Sequence, residues 1–289
     1  MKTILVTGSN GQLGNEIRNL SIFCDFFNFI FTDFKELDIS NFKNLEKFFA
    51  KNKIDFLINC AAYTNVDKAE SEKEKAFLIN GKAIENLVKM CEKYNCKLIH
   101  ISTDYVFNGK NYFPYKEDHK ENPNSVYGKS KLAGEKKIIN SNIEYIILRT
   151  SWLYSSYGNN FVKTILKLAK KVEKLSVIFD QIGTPTYAGD LSKVIFHILK
   201  EKIEDKKNFK KGIYNFSNEG VCSWFDFAKE IIDFYDINLK LIPIETKDFS
   251  SIAKRPHYSV LNKSKLKKEF DYEIPHWKDS LLNCLKTMR

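Results

Sequence analysis

Residues 3–14 read T-I-L-V-T-G-S-N-G-Q-L-G, a short apolar run followed by three glycines and then by a helical pattern. In such a strand–turn–helix segment, Gly8 permits a tight turn, Gly11 lets the backbone approach a pyrophosphate, and Gly14 allows close contact between helix and strand. The first N–H groups of the helix and the positive end of its dipole then face the phosphates. The spacing is G-x-x-G-x-x-G rather than G-x-G-x-x-G, but this context predicts a dinucleotide-binding turn, with a simple tight turn as the alternative.

The rest of the first half alternates apolar runs with amphipathic segments. The runs span residues 27–32, 54–60, 97–103 and 145–149, and the segments 41–51, 68–94 and 125–140 carry apolar residues at three- and four-residue spacing. Strands that alternate with helices indicate right-handed crossovers and a parallel sheet covered on both faces. We therefore expect an α/β fold, a Rossmann-type doubly wound parallel sheet, with residues 1–150 as a dinucleotide-binding domain.

The second half is less regular. Aromatic-rich loops at residues 152–157, a G-T-P-T turn at 183–186 and a strand-like run at 213–216 are followed or accompanied by helical patterns at 224–235 and 277–286. This arrangement predicts a smaller C-terminal lobe, residues 151–289, that completes a cleft for the substrate. Some of its segments are expected to return to the main sheet.

Composition limits the classes of protein. The 289 residues are 43% hydrophobic and 28% charged, which is typical of a globular chain. Without a signal peptide or an apolar stretch of roughly 18 residues, a cytoplasmic protein with no membrane association is expected. The six cysteines lack C-x-x-C or zinc-like spacing and predict reduced thiols. The net charge of +10 is spread along the chain, and its one dense run, residues 200–211, is interpreted as a solvated loop or frayed helix end rather than a nucleic-acid site.

An acidic residue follows the second apolar run. Asp33 stands where an acid accepts hydrogen bonds from the adenosine ribose hydroxyls, and its charge would repel a 2′-phosphate. This favours NADH slightly over NADPH as the cofactor. Two alternatives stay open: Asp33 as a turn or helix-cap residue, and nearby Lys35 as an acceptor of a 2′-phosphate.

A phenol and an ammonium stand one helical turn apart in Tyr127-Gly-Lys-Ser-Lys131. Reduction of a carbonyl needs a proton donor at oxygen, and a lysine cation lowers the pKa of a nearby tyrosine from its ordinary value of about 10. Thr103 ends the fourth strand, at the sheet edge where α/β folds bind ligands. The pattern predicts Thr103, Tyr127 and Lys131 as catalytic residues, with a surface Tyr–Lys pair as the alternative.

Several blocks together carry a resemblance. Residues 8–14, 59–62 (NCAA), 102–107 (STDYVF) and 127–131 (YGKSK) make the chain similar to the extended short-chain dehydrogenase/reductases. Narrower blocks resemble the branch that reduces dTDP-linked 4-keto-6-deoxy sugars: residues 64–71 (TNVDKAES), 132–135 (LAGE), 149–154 (RTSWLY), 158–161 (GNNF), 180–186 (DQIGTPT) and 255–259 (RPHYS). The resemblance covers nearly the whole chain.

The resemblance implies roles for individual residues. Thr103, Tyr127 and Lys131 would form the catalytic triad, and the last two would also hold the cofactor. The other implied cofactor-binding residues are Gly8, Asn10, Gly11, Gln12, Leu13 and Gly14 at the pyrophosphate, Asp33 at the ribose, Asp38 and Ile39 at the adenine, and Ala61, Ala62, Tyr63 and Thr64 along the middle of the dinucleotide. The implied substrate-binding residues are Asp104, Trp152, Asn160 and Arg255. For Asn160 a helix cap, and for Arg255 an ion pair with a neighbouring carboxylate, remain as alternatives.

The implied reaction is reduction of the C4 ketone of dTDP-4-dehydro-6-deoxy-L-hexose to dTDP-L-rhamnose, a cell-surface polysaccharide precursor. Related dehydratases carry Thr-Asp-Glu, with the Glu where Tyr105 stands here. Epimerase-like relatives carry a small residue in place of Asp104. The alternatives are a reductase of another nucleotide-linked 4-ketohexose and a non-catalytic dinucleotide-binding regulatory subunit.

Some relatives form dimers around a metal ion that acidic residues hold. Because Gly189 stands where one acidic residue is expected beside Glu16, we predict that no metal is bound. The expected oligomeric state is a monomer or a homodimer.

Overall fold

The computed structural model describes residues 1–204 and 209–288. Its strands are β1 (Lys2–Thr7), β2 (Phe27–Thr32), β3 (Phe56–Asn59), β4 (Lys97–Thr103), β5 (Tyr145–Thr150), β6 (Leu153–Tyr154), β7 (Lys174–Ile178), β8 (Ile182–Gly183), β9 (Thr186–Tyr187), β10 (Gly212–Asn215), β11 (Cys222–Ser223) and β12 (Lys240–Ile244). Six of them form one sheet in the order β10–β5–β4–β3–β1–β2, with every neighbouring pair parallel. The prediction of a doubly wound parallel sheet is therefore confirmed.

Helices connect and cover these strands. They are α1 (Gln12–Ser21), α2 (Phe42–Lys51), α3 (Val66–Ser71), α4 (Lys73–Phe77), α5 (Ala83–Tyr94), α6 (Val126–Ile139), α7 (Phe161–Ala169), α8 (Ala188–Glu204), α9 (Trp224–Phe234), α10 (Ser264–Phe270) and α11 (Trp277–Thr287). A π-helical turn, Leu78–Lys82, joins α4 to α5, and 3₁₀ turns occupy Asp104–Val106 and Thr246–Asp248.

Strand β1, between β3 and β2, shows why the sheet is buried on both faces. Ile4 and Val6 point to one face, where they belong to a core cluster with Leu191 of α8, whereas Leu5 points to the other and clusters with Leu87 of α5. All five side chains are fully buried. Burying one such aliphatic side chain stabilises the fold by about 1.5–3 kcal/mol, so the continuous apolar strands anchor the sheet between two helical layers.

The C-terminal lobe has its own core. Tyr154, Val162, Phe227 and Leu281 are buried together in a third cluster. Around them lie three small two-stranded sheets, which pair β12 with β7, β11 with β8, and β6 with β9. From the same half of the chain, β10 extends the main sheet beside β5, and α8 packs against α1.

The register of the main sheet decides where polar side chains meet. Thr7 pairs with Asn59 at the ends of β1 and β3, and His100 of β4 pairs with Asn59. Thr103 ends β4 opposite Thr150 of β5. Because all these strands are parallel, their carboxyl ends share one edge, which is where open α/β sheets bind ligands.

Other expectations of the sequence can be compared with the structure. All six cysteines are free thiols. In the basic run, residues 200–204 continue α8, whereas residues 205–208 lie outside the described residues. Within the ranges that the structure describes, no helix is both long and apolar enough to span a membrane.

Candidate active site

The glycine turn lies at the carboxyl end of β1. Gly8 has a left-handed backbone (φ +64°), and a Cβ there would lie 2.6 Å from the backbone nitrogen of Ala61. A Cβ at Gly14 would lie 2.5 Å from Cα of Ser9. α1 begins directly after Gly11. Among the described residues, no side chain caps this helix, and its first turn carries no acidic residue. Its first N–H groups are therefore free to bind an anion, and the turn fits a dinucleotide pyrophosphate.

Asp33 lies beside this turn. Its Oδ2 accepts from the backbone N–H of Asn10 at 2.8 Å, and its Oδ1 accepts from the backbone N–H of Phe34 at 2.7 Å. The carboxylate thus braces the glycine turn, which agrees with the turn-residue alternative, and each oxygen keeps a second lone pair for a ribose hydroxyl. Farther along, Asp38 Oδ1 accepts from both the backbone and the hydroxyl of Ser40.

The segment of residues 61–64 leaves β3 and is held by a residue that the sequence did not single out. Asn80 accepts from the backbone N–H of Tyr63 at 2.9 Å and donates to its carbonyl at 3.0 Å. The same amide donates to Ser130 Oγ at 2.9 Å. Asn80 is buried in the π-helical turn, where the extra residue per turn displaces the register of a plain helix. It clamps the predicted cofactor segment to α6.

α6 presents Tyr127 and is fixed at its start by two side chains. Ser125 Oγ accepts from the N–H of Gly128 at 3.1 Å, and Glu70 accepts from the N–H of Val126 at 2.8 Å. A carboxylate is favourable at this position because the N-terminal end of a helix is positive. Glu70 belongs to the block of residues 64–71, but its contact with α6 could not be inferred from the block itself.

Lys131 lies one turn after Tyr127 and is buried. Its Nζ donates to the carbonyl of Ile101 at 2.6 Å and lies 3.4 Å from His100 Nε2. Burial lowers the pKa of Lys131 to about 8, although the nearby carboxylate of Glu135 raises it. Glu135 is itself buried and forms a 2.7 Å ion pair with Arg149 of β5, so α6 is fastened to the sheet directly beneath the lysine.

Thr103 and Tyr127 face each other across the end of β4. Thr103 Oγ1 donates to Asp104 Oδ1 at 2.9 Å. Burial raises the pKa of Tyr127 to about 12, and the nearby Thr103 hydroxyl lowers it only in part. The sequence pattern predicted a lowered pKa. Instead, burial of the phenol, which outweighs the effect of the Thr103 hydroxyl, and the charge of Asp104 raise it. At neutral pH, Tyr127 is thus a protonated acid.

Asp104 is a buried carboxyl at the seam between the two lobes. Burial raises its pKa to about 7, while the hydroxyl groups of Thr103 and Ser259 nearby lower it in part. Its Oδ2 has no hydrogen-bond partner among the described residues. A buried oxygen without a partner is costly, and a ligand hydroxyl would satisfy it.

Trp152 belongs to an aromatic cluster. Its backbone is left-handed (φ +48°), and its ring stacks on Trp224 with centroids 3.5 Å apart and planes 8° apart. Phe161 packs against Trp224 at 4.6 Å, and a Cβ at Gly183 would lie 2.7 Å from the Trp152 ring. Trp224 was not predicted, because it is distant in sequence and begins an ordinary amphipathic helix.

Asn160 and Arg255 have protein partners in the described structure. Asn160 caps α7 by accepting from the N–H of Lys163 at 3.1 Å, and its Nδ2 donates to Gln12 Oε1 at 2.9 Å. Arg255 pairs with Asp67 at 2.6 Å, while its Nε is buried without a partner. Both therefore match the alternatives stated above, a helix cap and an ion pair. Their roles toward a substrate stay predictions.

The region around Glu16 bears on the metal question. A Cβ at Gly189 would lie 2.5 Å from the Tyr187 ring, so an acidic side chain has no room there unless that ring moves. Asp190 points inward, where it accepts from Asn218 at 2.9 Å. Across residues 1–204 and 209–288, no three His, Cys, Asp or Glu side chains are grouped as metal ligands. The prediction that no metal is bound stays a prediction.

The chain is similar to known proteins over its whole length. The family model described as the RmlD substrate binding domain matches residues 1–289. A dTDP-4-dehydrorhamnose reductase of Aggregatibacter actinomycetemcomitans is 40% identical, with 98% of each chain covered. The enzyme of that name from Salmonella typhimurium is 38% identical over 99% of this chain and 97% of its own.

Comparison with solved structures leads to proteins of the same name. A dTDP-4-dehydrorhamnose reductase from Clostridium acetobutylicum superposes with a TM-score of 0.94 at 40% identity, covering 99% of both chains. The Bacillus anthracis protein of that name, in complex with NADP, gives 0.93 at 37% identity, covering 99% of this chain and 100% of its own. Bordetella bronchiseptica WbmG, solved with NAD and UDP, gives 0.80 at 18% identity and shows the shared fold alone.

Proposed function

The chain belongs to the RmlD family of dTDP-4-dehydrorhamnose reductases, and from that premise we propose that it carries out the NAD(P)H-dependent reduction of the C4 ketone of dTDP-4-dehydro-6-deoxy-L-hexose. The product would be dTDP-L-rhamnose, a precursor of cell-surface polysaccharide. The observation that carries the proposal is the meeting of Thr103, Tyr127 and Lys131 at the sheet edge beside an uncapped, glycine-lined helix start.

The glycine turn is proposed to hold the dinucleotide. The N–H groups that open α1 bind the pyrophosphate, and the absence of a Cβ at Gly8 and Gly14 keeps the turn compact. The segment of residues 61–64, clamped by Asn80, lines the middle of the cofactor. When bound there, the reduced nicotinamide supplies the hydride for C4. Asp33 favours NADH slightly because its carboxylate would repel a 2′-phosphate.

Tyr127 is proposed as the proton donor. Its phenol transfers its proton to the C4 oxygen as that oxygen gains negative charge. A raised pKa keeps the phenol protonated at neutral pH until the substrate arrives. Lys131 stabilises the tyrosinate left behind and also holds the cofactor. Because the Thr103 hydroxyl donates to Asp104 in the described state, it positions the carbonyl group only after that hydrogen bond is exchanged.

The sugar nucleotide is proposed to lie between Asp104 and the aromatic cluster of Trp152. The free Oδ2 of Asp104 accepts a sugar hydroxyl, and Trp152 provides an apolar face. Asn160 and Arg255 approach the nucleotide after releasing part of their present contacts. The unpartnered Nε of Arg255 is the donor that a phosphate oxygen would satisfy.

The test is oxidation of NADH and of NADPH by the purified full chain with enzymatically made dTDP-4-keto-6-deoxy-L-hexose. Wild type is expected to turn over both cofactors, with NADH at least as fast. Tyr127→Phe is expected to lose about 10²–10⁴-fold in kcat and still bind the dinucleotide. Tyr94→Phe, which removes a phenol on α5 outside the cleft, is the matched control.

Two results would change the proposal. Turnover of a uridine-linked ketosugar in preference to the thymidine-linked one would indicate a reductase of another nucleotide-linked 4-ketohexose. Tight dinucleotide binding without turnover of any ketosugar, together with a stable complex with another enzyme, would indicate a regulatory subunit.

A further inference from the structure

A histidine lies inside the main sheet directly under the catalytic lysine. His100 occupies the middle of β4, and its side chain is fully buried. Its Nε2 lies 3.4 Å from Lys131 Nζ, and its Nδ1 lies 3.0 Å from Asn59 Nδ2. Asn59 Oδ1 in turn accepts from Thr7 Oγ1 at 2.6 Å. A row of polar side chains therefore runs beneath the sheet edge from the glycine turn to the lysine, across three neighbouring strands.

The Lys131 ammonium group has a fixed number of hydrogen-bond donors. An ammonium group has three N–H donors and accepts none. One donates to the carbonyl of Ile101 at 2.6 Å, and a second faces His100. Both partners belong to β4. One donor is left for a ligand, so the direction in which Lys131 offers it depends on the two contacts with the strand.

Resting on the proposed function, we propose that His100 is a positioning residue for Lys131. Its Nε2 accepts a hydrogen bond from the Lys131 ammonium group. Together with the Ile101 carbonyl, this contact fixes the direction in which the remaining N–H of Lys131 meets the dinucleotide and Tyr127. His100 itself touches neither substrate nor cofactor.

The tautomer of His100 follows from this role. Facing an ammonium, Nε2 carries no proton, so the ring proton is on Nδ1 and needs an acceptor. A half-turn of the Asn59 amide places Oδ1 against His100 and Nδ2 against Thr7 with the heavy atoms in the same positions. The amide orientation described above, with Nδ2 toward His100, suits an uncharged Lys131 amine instead. The orientation of Asn59 is thus coupled to the charge of Lys131.

The surroundings keep His100 neutral. Burial, and then the charge of Lys131, hold the pKa of His100 well below its ordinary value, which favours the neutral ring. Besides His100, the titratable groups that act on Lys131 in the described chain are Glu135 on α6 and Cys60 after β3. Both raise the pKa of the lysine, whereas burial lowers it.

A pair of amide variants tests the proposal. In His100→Gln the amide reaches the position of Nε2 and can still accept from Lys131, whereas in His100→Asn it reaches only the position of Nδ1 and Asn59. We expect His100→Asn to bind NADH about tenfold more weakly and to lose about tenfold in kcat, because a charged donor loses its acceptor. The alkaline fall of kcat should also begin at lower pH, since the ammonium form is less stabilised. His100→Gln should recover most of the affinity and the pH profile.

The outcomes separate the possible failures. Equal dinucleotide affinity and equal pH profiles in the Asn and Gln variants would overturn the proposal and leave His100 as a packing residue. The affinity measurement needs no ketosugar, so it reads the role of His100 even if the proposed substrate is wrong. His197→Gln, at a histidine on α8 that bonds the carbonyl of Phe270, is the control and should change neither readout.

Discussion

The two sides of the cleft are built by different means. On the side proposed for the dinucleotide, Gly8 directly follows β1, Thr103 ends β4 and Lys131 lies on α6, and backbone geometry fixes them. On the side proposed for the sugar, Trp152 and Trp224 come from distant segments and stack on each other, and Phe161 packs against Trp224. The first side can therefore be predicted from local sequence, whereas the second depends on tertiary contacts.

The largest effect is expected where the backbone leaves no space. Gly8→Ala combines a left-handed backbone with a Cβ 2.6 Å from the nitrogen of Ala61, so the turn must open. Binding of NADH, measured by titration, should weaken at least about 100-fold. Gly81→Ala, whose Cβ would have its nearest neighbour at 3.6 Å, is the control. Normal binding of NADH by Gly8→Ala would mean that backbone geometry does not fix the side of the glycine turn more rigidly than the side of the stacked tryptophans.

The seam between the sides should show a pH effect. Burial raises the pKa of Asp104 to about 7, above its value of about 3.9 in the unfolded chain, so the folded state holds the proton more tightly. The stability that this proton contributes is complete below about pH 4 and is lost as pH rises to about 7. In urea unfolding, wild type should lose about 2 kcal/mol relative to Asp104→Asn between pH 5 and 7. Parallel pH dependences of the two proteins would contradict this.

On the sugar side, a smaller and separable effect is expected. Trp224→Leu removes the surface on which Trp152 stacks and should raise the KM for the sugar nucleotide about fivefold, since an aromatic contact of this kind contributes on the order of 1 kcal/mol. Affinity for NADH should stay unchanged. Phe225→Leu, the next residue of α9, is the matched control. A parallel loss of NADH affinity would show that the two sides are not independent.

The smallest effect is expected at an ion pair that joins the sides. Arg255 and Asp67 are both partly exposed, with side-chain exposures of 27% and 37%, so Asp67→Asn should lower the free energy of unfolding by less than about 1 kcal/mol. The freed guanidinium should then lower the KM for the sugar nucleotide severalfold. An unchanged KM would leave Arg255 a purely structural residue.

The sequence predicted the sheet and the helix that carry the candidate site. The alternation of apolar runs and amphipathic segments predicted the parallel sheet, and the pattern of Tyr127 and Lys131 follows from helix periodicity alone. Asn80 could not be found this way, because its position depends on a π-helical turn that no pattern marks. His100 did leave a signal, as a polar residue inside the apolar run of residues 97–103, but its partner lies on another element.

Electrostatic expectations were less accurate than geometric ones. The pair of Tyr127 and Lys131 suggested a lowered phenol pKa. That expectation left burial out, and burial raises the pKa of Tyr127. For Asn160 and Arg255, residue type left two interpretations open, and only their neighbours in space, Gln12 and Asp67, distinguish the present contacts. Desolvation and tertiary partners are properties of the folded chain rather than of any motif.

The stacked indoles of Trp152 and Trp224 give the protein an optical property. Two parallel indole rings 3.5 Å apart share their excited states, so their ultraviolet absorption and circular dichroism differ from those of two separate tryptophans. Trp277, the third tryptophan, is buried in the lobe core and contributes a constant background. A ligand that parts the stacked rings would change the spectrum, and the cleft thus carries its own reporter without any added label.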